Sequence, residues 1–196
     1  MRTQASHETR HSRIIIGAAI SVATYGLAVP VTFVLLSKWL DQEIGFPPLF
    51  GPGLASLLAA AAILIGLLWV TWSYSYIVFF GKGSPVEAFG VALEPTKQLV
   101  TSGPYGYMRH PMIFGMLWVI LGIGFYMRSL AALILVAVSA IVAWLHIVLW
   151  EESGLAARFG QDYIDYRDHV RALIPHLRPY APERHRKNRQ VGAAKS

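Results

Sequence analysis

The sequence predicts an all-α, polytopic membrane protein: about four transmembrane helices followed by a C-terminal cytosolic amphipathic helix. Three observations lead there. The chain is 55% hydrophobic and 14% charged, where an ordinary soluble domain carries about 25% charged residues. Its apolar residues gather into four stretches, 14–39, 54–80, 112–127 and 130–150. Its basic residues divide unequally between the segments that alternate with those stretches.

The elements follow in order. Residues 1–13 are polar. The stretch 14–39 contains Pro30, is too long for a signal peptide and ends without a small-residue cleavage site. Residues 40–53, with Pro47-Pro48 and Gly51-Pro52-Gly53, read as an outer loop. After the second stretch, Gly81-Lys82-Gly83-Ser84-Pro85 opens a long inner segment to residue 110. Loops of that length are functional or disordered, and this one carries Leu99, Val100, Tyr105 and Tyr107 for packing. The third stretch is short for the ~20 residues of a span. It suffices if Pro111 opens the helix, where a missing N–H costs nothing. Arg128-Ser129 marks the turn into the fourth stretch. Beyond it, Leu155, Phe159, Tyr163, Tyr166 and Val170 step by 4, 4, 3 and 4, which is one helix face. Arg158, Asp162, Asp165 and Asp168 lie on the other face, and Pro175 is expected to end this helix. The organisation is one membrane domain: two N-terminal spans over 14–80, a catalytic region over 81–180 and a disordered basic tail over 181–196.

Charge sets the expected orientation. Fifteen lysines and arginines lie before the first stretch, between the second and third, or after the fourth; only Lys38 and Arg128 lie opposite. By the positive-inside rule this places both termini in the cytoplasm, as for a bacterial inner-membrane protein. The net charge of +6 is then a topology signal that suits anionic membrane lipids, not nucleic acid. The absence of cysteine excludes disulfides and thiolate chemistry.

The hairpin of the third and fourth stretches brings two polar segments to one membrane face. One runs from Gly103 to Pro111, with Arg109 and His110. The other starts at Glu151-Glu152. Acids ending a helix oppose its dipole, so the two glutamates need partners, and Arg109 and His110 are the nearest candidates. His146, inside the fourth stretch, is an ionisable group in a span and hence a site candidate; helix packing is its other reading. Gly103, Pro104 and Gly106 allow irregular backbone at the interface, as a turn or a ligand cradle. Tyr105, Tyr107, Trp69, Trp72, Tyr74 and Tyr76 suit an aromatic belt. No metal-ligand spacing is present, nor a Gly-rich nucleotide fingerprint.

These segments resemble a known family. Leu99-Val100-Thr101-Ser102-Gly103-Pro104-Tyr105, Arg109-His110-Pro111 and Gly115 look like the first motif of the integral-membrane methyltransferases. That group includes the isoprenylcysteine carboxyl methyltransferases and phosphatidylethanolamine N-methyltransferases. Glu151-Glu152, Leu155, Phe159-Gly160, Tyr163, Tyr166, Val170 and Ile174-Pro175 look like the second. The resemblance implies S-adenosylmethionine as cofactor, bound by Lys97, Gln98, Leu99, Val100, Tyr105, His110, Pro111, Met112 and Ile113, with Glu151 and Glu152 on its polar groups. Carboxylates and aromatic faces suit its cationic groups. It implies methyl transfer at the cytoplasmic face to a lipophilic acceptor, an amino lipid such as phosphatidylethanolamine or a thiol. Glu151, Glu152, Arg109 and His146 are the candidate catalytic residues; Glu151, Glu152 or His146 could take a proton. The prenylcysteine enzymes carry an arginine where this chain has Ile147, which counts against a carboxylate acceptor, and the family's usual tyrosine after His-Pro is Ile113. Two other classes share part of the pattern. A membrane reductase with a nicotinamide cofactor would need fewer acids at the site. A non-catalytic membrane adaptor would work through the basic tail.

Overall fold

Small residues decide where the helices meet. The computed structural model describes residues 22–81, 87–88, 91–92, 96 and 98–181. Helix α1 (Val29–Ile44) is preceded by a π-helical segment, Val22–Ala28. Pro30 sits at the junction and has no N–H for the regular ladder, a change that favours a widened turn. Helix α2 (Pro52–Tyr76) runs on through a π-helical turn, Ile77–Gly81. Glu87–Ala88 (β1) and Val91–Ala92 (β2) form a two-residue antiparallel pair, the one departure from helix and loop among the described residues. Then come a single turn α3 (Pro104–Tyr107), α4 (Pro111–Met127) and α5 (Leu130–His146).

Helices α2 and α4 form the tightest pair. Ala55, Ala59, Ala62 and Gly66 of α2 are buried, as are Gly115, Ile120 and Gly122 of α4. At the crossing the backbones touch. A Cβ on Gly66 would lie 2.6 Å from the Gly115 carbonyl oxygen, and one on Gly115 would lie 2.7 Å from that of Gly66. Small residues at such crossings let dispersion contacts replace the hydrophobic drive that lipid cannot supply. Helix α1 packs elsewhere, through Phe33 on Ile120 and Ala132.

Two helices, Pro52–Gly81 and Leu130–Phe159, are long and apolar enough to cross a bilayer, and only 22% and 11% of their most apolar windows are buried. The core helix of a soluble protein would be mostly covered. These expose leucine, isoleucine and tryptophan along their length, as a lipid-facing helix does. The molecule is a helical membrane protein. The third stretch forms a shorter apolar helix of 17 residues, roughly 26 Å at about 1.5 Å per residue.

Four expectations are corrected. Helix α1 extends to Ile44 and ends on left-handed Gly45, so the loop starts later than residue 40. The fourth helix does not stop at Trp150: a π-helical turn, Ile147–Glu151, leads directly into α6 (Glu152–Phe159). Glu151 and Glu152 therefore sit inside a continuous helix, and the dipole at a helix end is not what acts on them. The amphipathic region is two helices, α6 and α7 (Gln161–His169), because Gly160 adopts φ +59 between them. Finally, α7 ends six residues before Pro175, with Val170 already extended. The expected contact face persists despite the break: Tyr163, Tyr166 and Val170 are buried together against Leu99, Leu155, Phe159 and Tyr180. The basic stretches at 1–13 and 182–196 lie outside the described residues.

Candidate active site

The site begins with one glycine. Gly103 adopts φ +59, and a Cβ there would meet the Tyr76 ring at 2.2 Å. Only glycine fits this conformation and this contact together. The chain then turns through α3, where Pro104, Tyr105 and Gly106 are buried. Tyr107 meets Trp69 edge-to-face and Trp72 at a tilt, with ring centroids 6.4 and 6.0 Å away. These aromatics pack the motif segment onto α2. Met108 is fully buried, and Arg109 and His110 are delivered just ahead of Pro111.

A C-terminal strap fixes the same segment from the other side. The backbone N–H groups of Arg109 and His110 donate to the carbonyls of Arg171 (2.9 Å) and Ala172 (3.0 Å). The N–H groups of His176 and Tyr180 donate to Tyr107 (2.9 Å) and Gly106 (2.8 Å). The Tyr166 hydroxyl donates to the Tyr105 carbonyl at 2.5 Å. Sequence reading missed this strap. Pro175, Pro179 and Pro182 within eight residues were the available signal, since proline and the residue before it favour extended backbone.

At the centre two consecutive residues meet two consecutive acids. The Arg109 guanidinium is paired with Glu152, and the side chains are each only 10% exposed. Its other arm donates to the carbonyls of Arg167 (2.8 Å) and Val170, at the C-terminal end of α7, where a cation is favoured. Arg109 thus clamps the fourth helix, α7 and the motif segment together. Beside it, His110 Nδ1 lies 3.3 Å from Glu151 Oε1, with side chains 5% and 28% exposed. The π-helical turn assists. The Glu152 N–H reaches back five residues to Ile147, and the widened turn presents both acids to one corner. Such turns recur at functional sites.

Three polar atoms at this corner are covered and lack a hydrogen-bond partner among the described residues: Arg109 Nε, His110 Nε2 and the Tyr163 hydroxyl. Buried polar atoms are nearly always hydrogen-bonded, so this cluster points to an external polar group. The surroundings also hold the tyrosines in their neutral form. Burial, reinforced by Glu151, pushes the Tyr105 hydroxyl well above the usual tyrosine range. Burial and Glu152 do the same for Tyr163, and burial and Tyr105 for Tyr166.

The structure brings Arg109, His110, Glu151 and Glu152 together, with Tyr105 close enough to feel the Glu151 charge. Pro111 is buried and Met112 and Ile113 are half-buried at the start of α4. Leu99 packs on the Tyr163 cluster, Val100 lies against Gly81, and Gln98 is exposed. Lys97 lies outside the described residues. His146 is exposed on the fourth helix, its ring 5.7 Å from that of Trp150. Tyr163 and Tyr166, expected on a helix face and in the second motif, are buried beside this corner.

Fold and site together define a helical membrane protein with a paired-acid corner at the end of a helical hairpin. Comparison with known proteins places it. Residues 54–162, more than half of the chain, match the family model described as phospholipid methyltransferase, and the chain belongs to that family. Over 85% of its length it is 31% identical to a methanethiol S-methyltransferase of Pseudomonas deceptionensis, 63% of which it covers. Over 43% of its length it is 34% identical to a cobalt-zinc-cadmium resistance protein, CzcN, of Cupriavidus metallidurans, covering 39% of that protein. The chain therefore spans less than two thirds of the length of either relative. No solved structure matches it.

Proposed function

We propose that this chain is a membrane methyltransferase that moves a methyl group from S-adenosylmethionine to a thiol at the cytoplasmic face. In this reading it crosses a bacterial inner membrane four times, with both termini cytoplasmic. The observation that carries the reading is the corner itself: a half-open carboxylate, Glu151, anchored by His110 and ringed by covered polar atoms without partners among the described residues. That donor set fits an amino-acid ligand with a cationic centre. Glu151 can meet an ammonium or sulfonium from the open side. Arg109 Nε and the Tyr163 hydroxyl can donate to a carboxylate. The family resemblance assigns Gln98, Leu99, Val100, Tyr105 and the run His110 to Ile113 to the rest of the pocket, and Lys97, outside the described residues, with them.

When bound, the cofactor supplies an electrophilic methyl group. The protein's contribution is alignment and exclusion of water. Tyr105 presents a neutral aromatic face, the favoured neighbour of a sulfonium. The Arg109–Glu152 pair holds the hairpin end against the strap, so the pocket wall does not need to form during the reaction.

A thiol acceptor is supported by the likeness to the methanethiol enzyme over most of this chain. An amino lipid is the second reading, favoured by the description of the family model. One experiment separates them: protein in lipid nanodiscs, methyl-labelled S-adenosylmethionine, methanethiol and a total lipid extract. Label in the volatile thioether supports the thiol, and label in lipid supports the amine. Label in neither removes the methyl-transfer reading. Glu151→Gln should weaken cofactor binding by about 1.5–3 kcal/mol, the range for a hydrogen bond to a charged group; unchanged affinity by calorimetry would count against its role.

A further inference from the structure

We propose that His110 is the general base that takes the proton from the methyl acceptor, with Glu151 as its positioning residue. The inference rests on the methyl-transfer reading above. Its ground is the arrangement of the imidazole. Nδ1 faces the Glu151 carboxylate at 3.3 Å, while Nε2 is covered and has no hydrogen-bond partner among the described residues. A carboxylate on one ring nitrogen fixes the proton there and leaves the lone pair on the other. Serine hydrolases use the same division of labour, with one nitrogen for orientation and the other for proton transfer. The ring is also rigidly placed. The His110 N–H donates to Ala172 at 3.0 Å, its carbonyl accepts from Phe114 at 3.1 Å, and the side chain is 5% exposed.

The other ionisable groups around this corner are occupied or unsuited. Glu152 is committed to Arg109, and Glu151 to His110 itself. His146 is close enough for its charge to act on Glu151, but its ring is exposed beside Trp150 rather than held against the carboxylate as His110 is. Tyr105 and Tyr163 keep their protons because burial opposes the anion. Arg109 has no proton to lose at any working pH. Of the four paired side chains Glu151 is the most open, and Nε2 lies covered beside it.

A thiol loses its proton near pH ~8.5, so at neutral pH most acceptor molecules need a base. His110 Nε2 takes the S–H proton. The electron pair left on the acceptor sulfur forms the new S–CH3 bond. The sulfonium's own carbon–sulfur bond breaks, its pair stays with the departing sulfur, and S-adenosylhomocysteine leaves. The imidazolium then returns its proton to water.

The test uses the full chain in nanodiscs with methanethiol, comparing His110→Gln and His110→Ala with the unsubstituted protein. Turnover should fall ~10²–10⁴-fold, the usual worth of a positioned base. S-adenosylhomocysteine binding, read by calorimetry, should fall far less than turnover, because His110 is one pocket residue among several. The variants depend on acceptor that has already lost its proton, so their rate should climb toward pH ~8.5 and their deficit against the unsubstituted protein should shrink there. Unchanged turnover with the same pH profile overturns the proposal. So does loss of S-adenosylhomocysteine binding in folded variants, which would make His110 a binding residue alone. Nitrogen NMR on the unsubstituted protein needs no variant: a proton on Nδ1 supports the proposal and a neutral tautomer protonated on Nε2 overturns it. If the unsubstituted protein labels neither thiol nor lipid, the methyl-transfer reading fails first, and the base fails with it.

Discussion

Helix α4 has an arginine next to each end, and the two do opposite work. Arg128, in the left-handed conformation, closes the far end. Its Nε donates to the Phe50 carbonyl at 2.9 Å, and its carbonyl accepts from Leu49 at 2.8 Å. Next to it the Ser129 hydroxyl caps the following helix by accepting from Ala132 at 2.8 Å, and Asp41 accepts from Ala131 at 3.2 Å. These are neutral backbone groups or a single acid on a helix start. Around Arg109, by contrast, two acids, a histidine and three covered polar atoms without partners among the described residues converge. A chain end that only has to turn uses the backbone as its partner. An end that has to receive something keeps side-chain capacity in reserve.

Substitution sharpens this contrast. Arg109→Ala leaves Glu152 buried without its cation and frees two carbonyls of α7. The expected loss is about 3–5 kcal/mol, as for other broken buried pairs, measured by thermal unfolding in detergent. A loss no larger than at Arg128 would erase the distinction.

The next effect is one of pH. Tyr105, Tyr163 and Tyr166 hold their protons more tightly when folded than the ordinary value of about 10 allows. Above that pH the unfolded chain gives up protons that the folded chain retains, so stability falls as pH rises. The slope is at most about 1.4 kcal/mol per pH unit for each tyrosine. Below about pH 10 the three contribute no pH dependence. Unfolding curves at alkaline pH check this, and replacing Tyr163 with Phe should make the slope shallower. Arg128→Ala gives the smallest effect, on the order of 1 kcal/mol for one exposed, solvent-screened hydrogen bond of the guanidinium, with methyl transfer unchanged.

Much of this arrangement is legible in the sequence. Pro111 opens α4, Arg128-Ser129 makes the turn, and the acids at 151 and 152 find the basic pair at 109 and 110. What could not be read is where the fourth helix ends. The change from apolar to polar residues after Trp150 marks a change of solvent, and the backbone ladder continues through it to Phe159. The strap was also hidden. Its bonds join residues 106–110 to residues 171–180, and pairings between distant backbone groups leave no period in either segment. Gly160 alone could not announce its break, because a glycine inside an amphipathic pattern is compatible with an unbroken helix.

The widened turn at Ile147–Glu151 gives the fourth helix an adjustable phase. A regular helix rotates by about 100° per residue, so one residue more or less in this turn sets the bearing of everything beyond it. Deleting Val148 would keep every reactive side chain and every apolar face up to Ile147, yet would turn Glu152 about a quarter-turn away from Arg109. The separation between membrane anchor and chemistry is therefore angular: the span below can face lipid as it pleases, while one spare residue aims the acids.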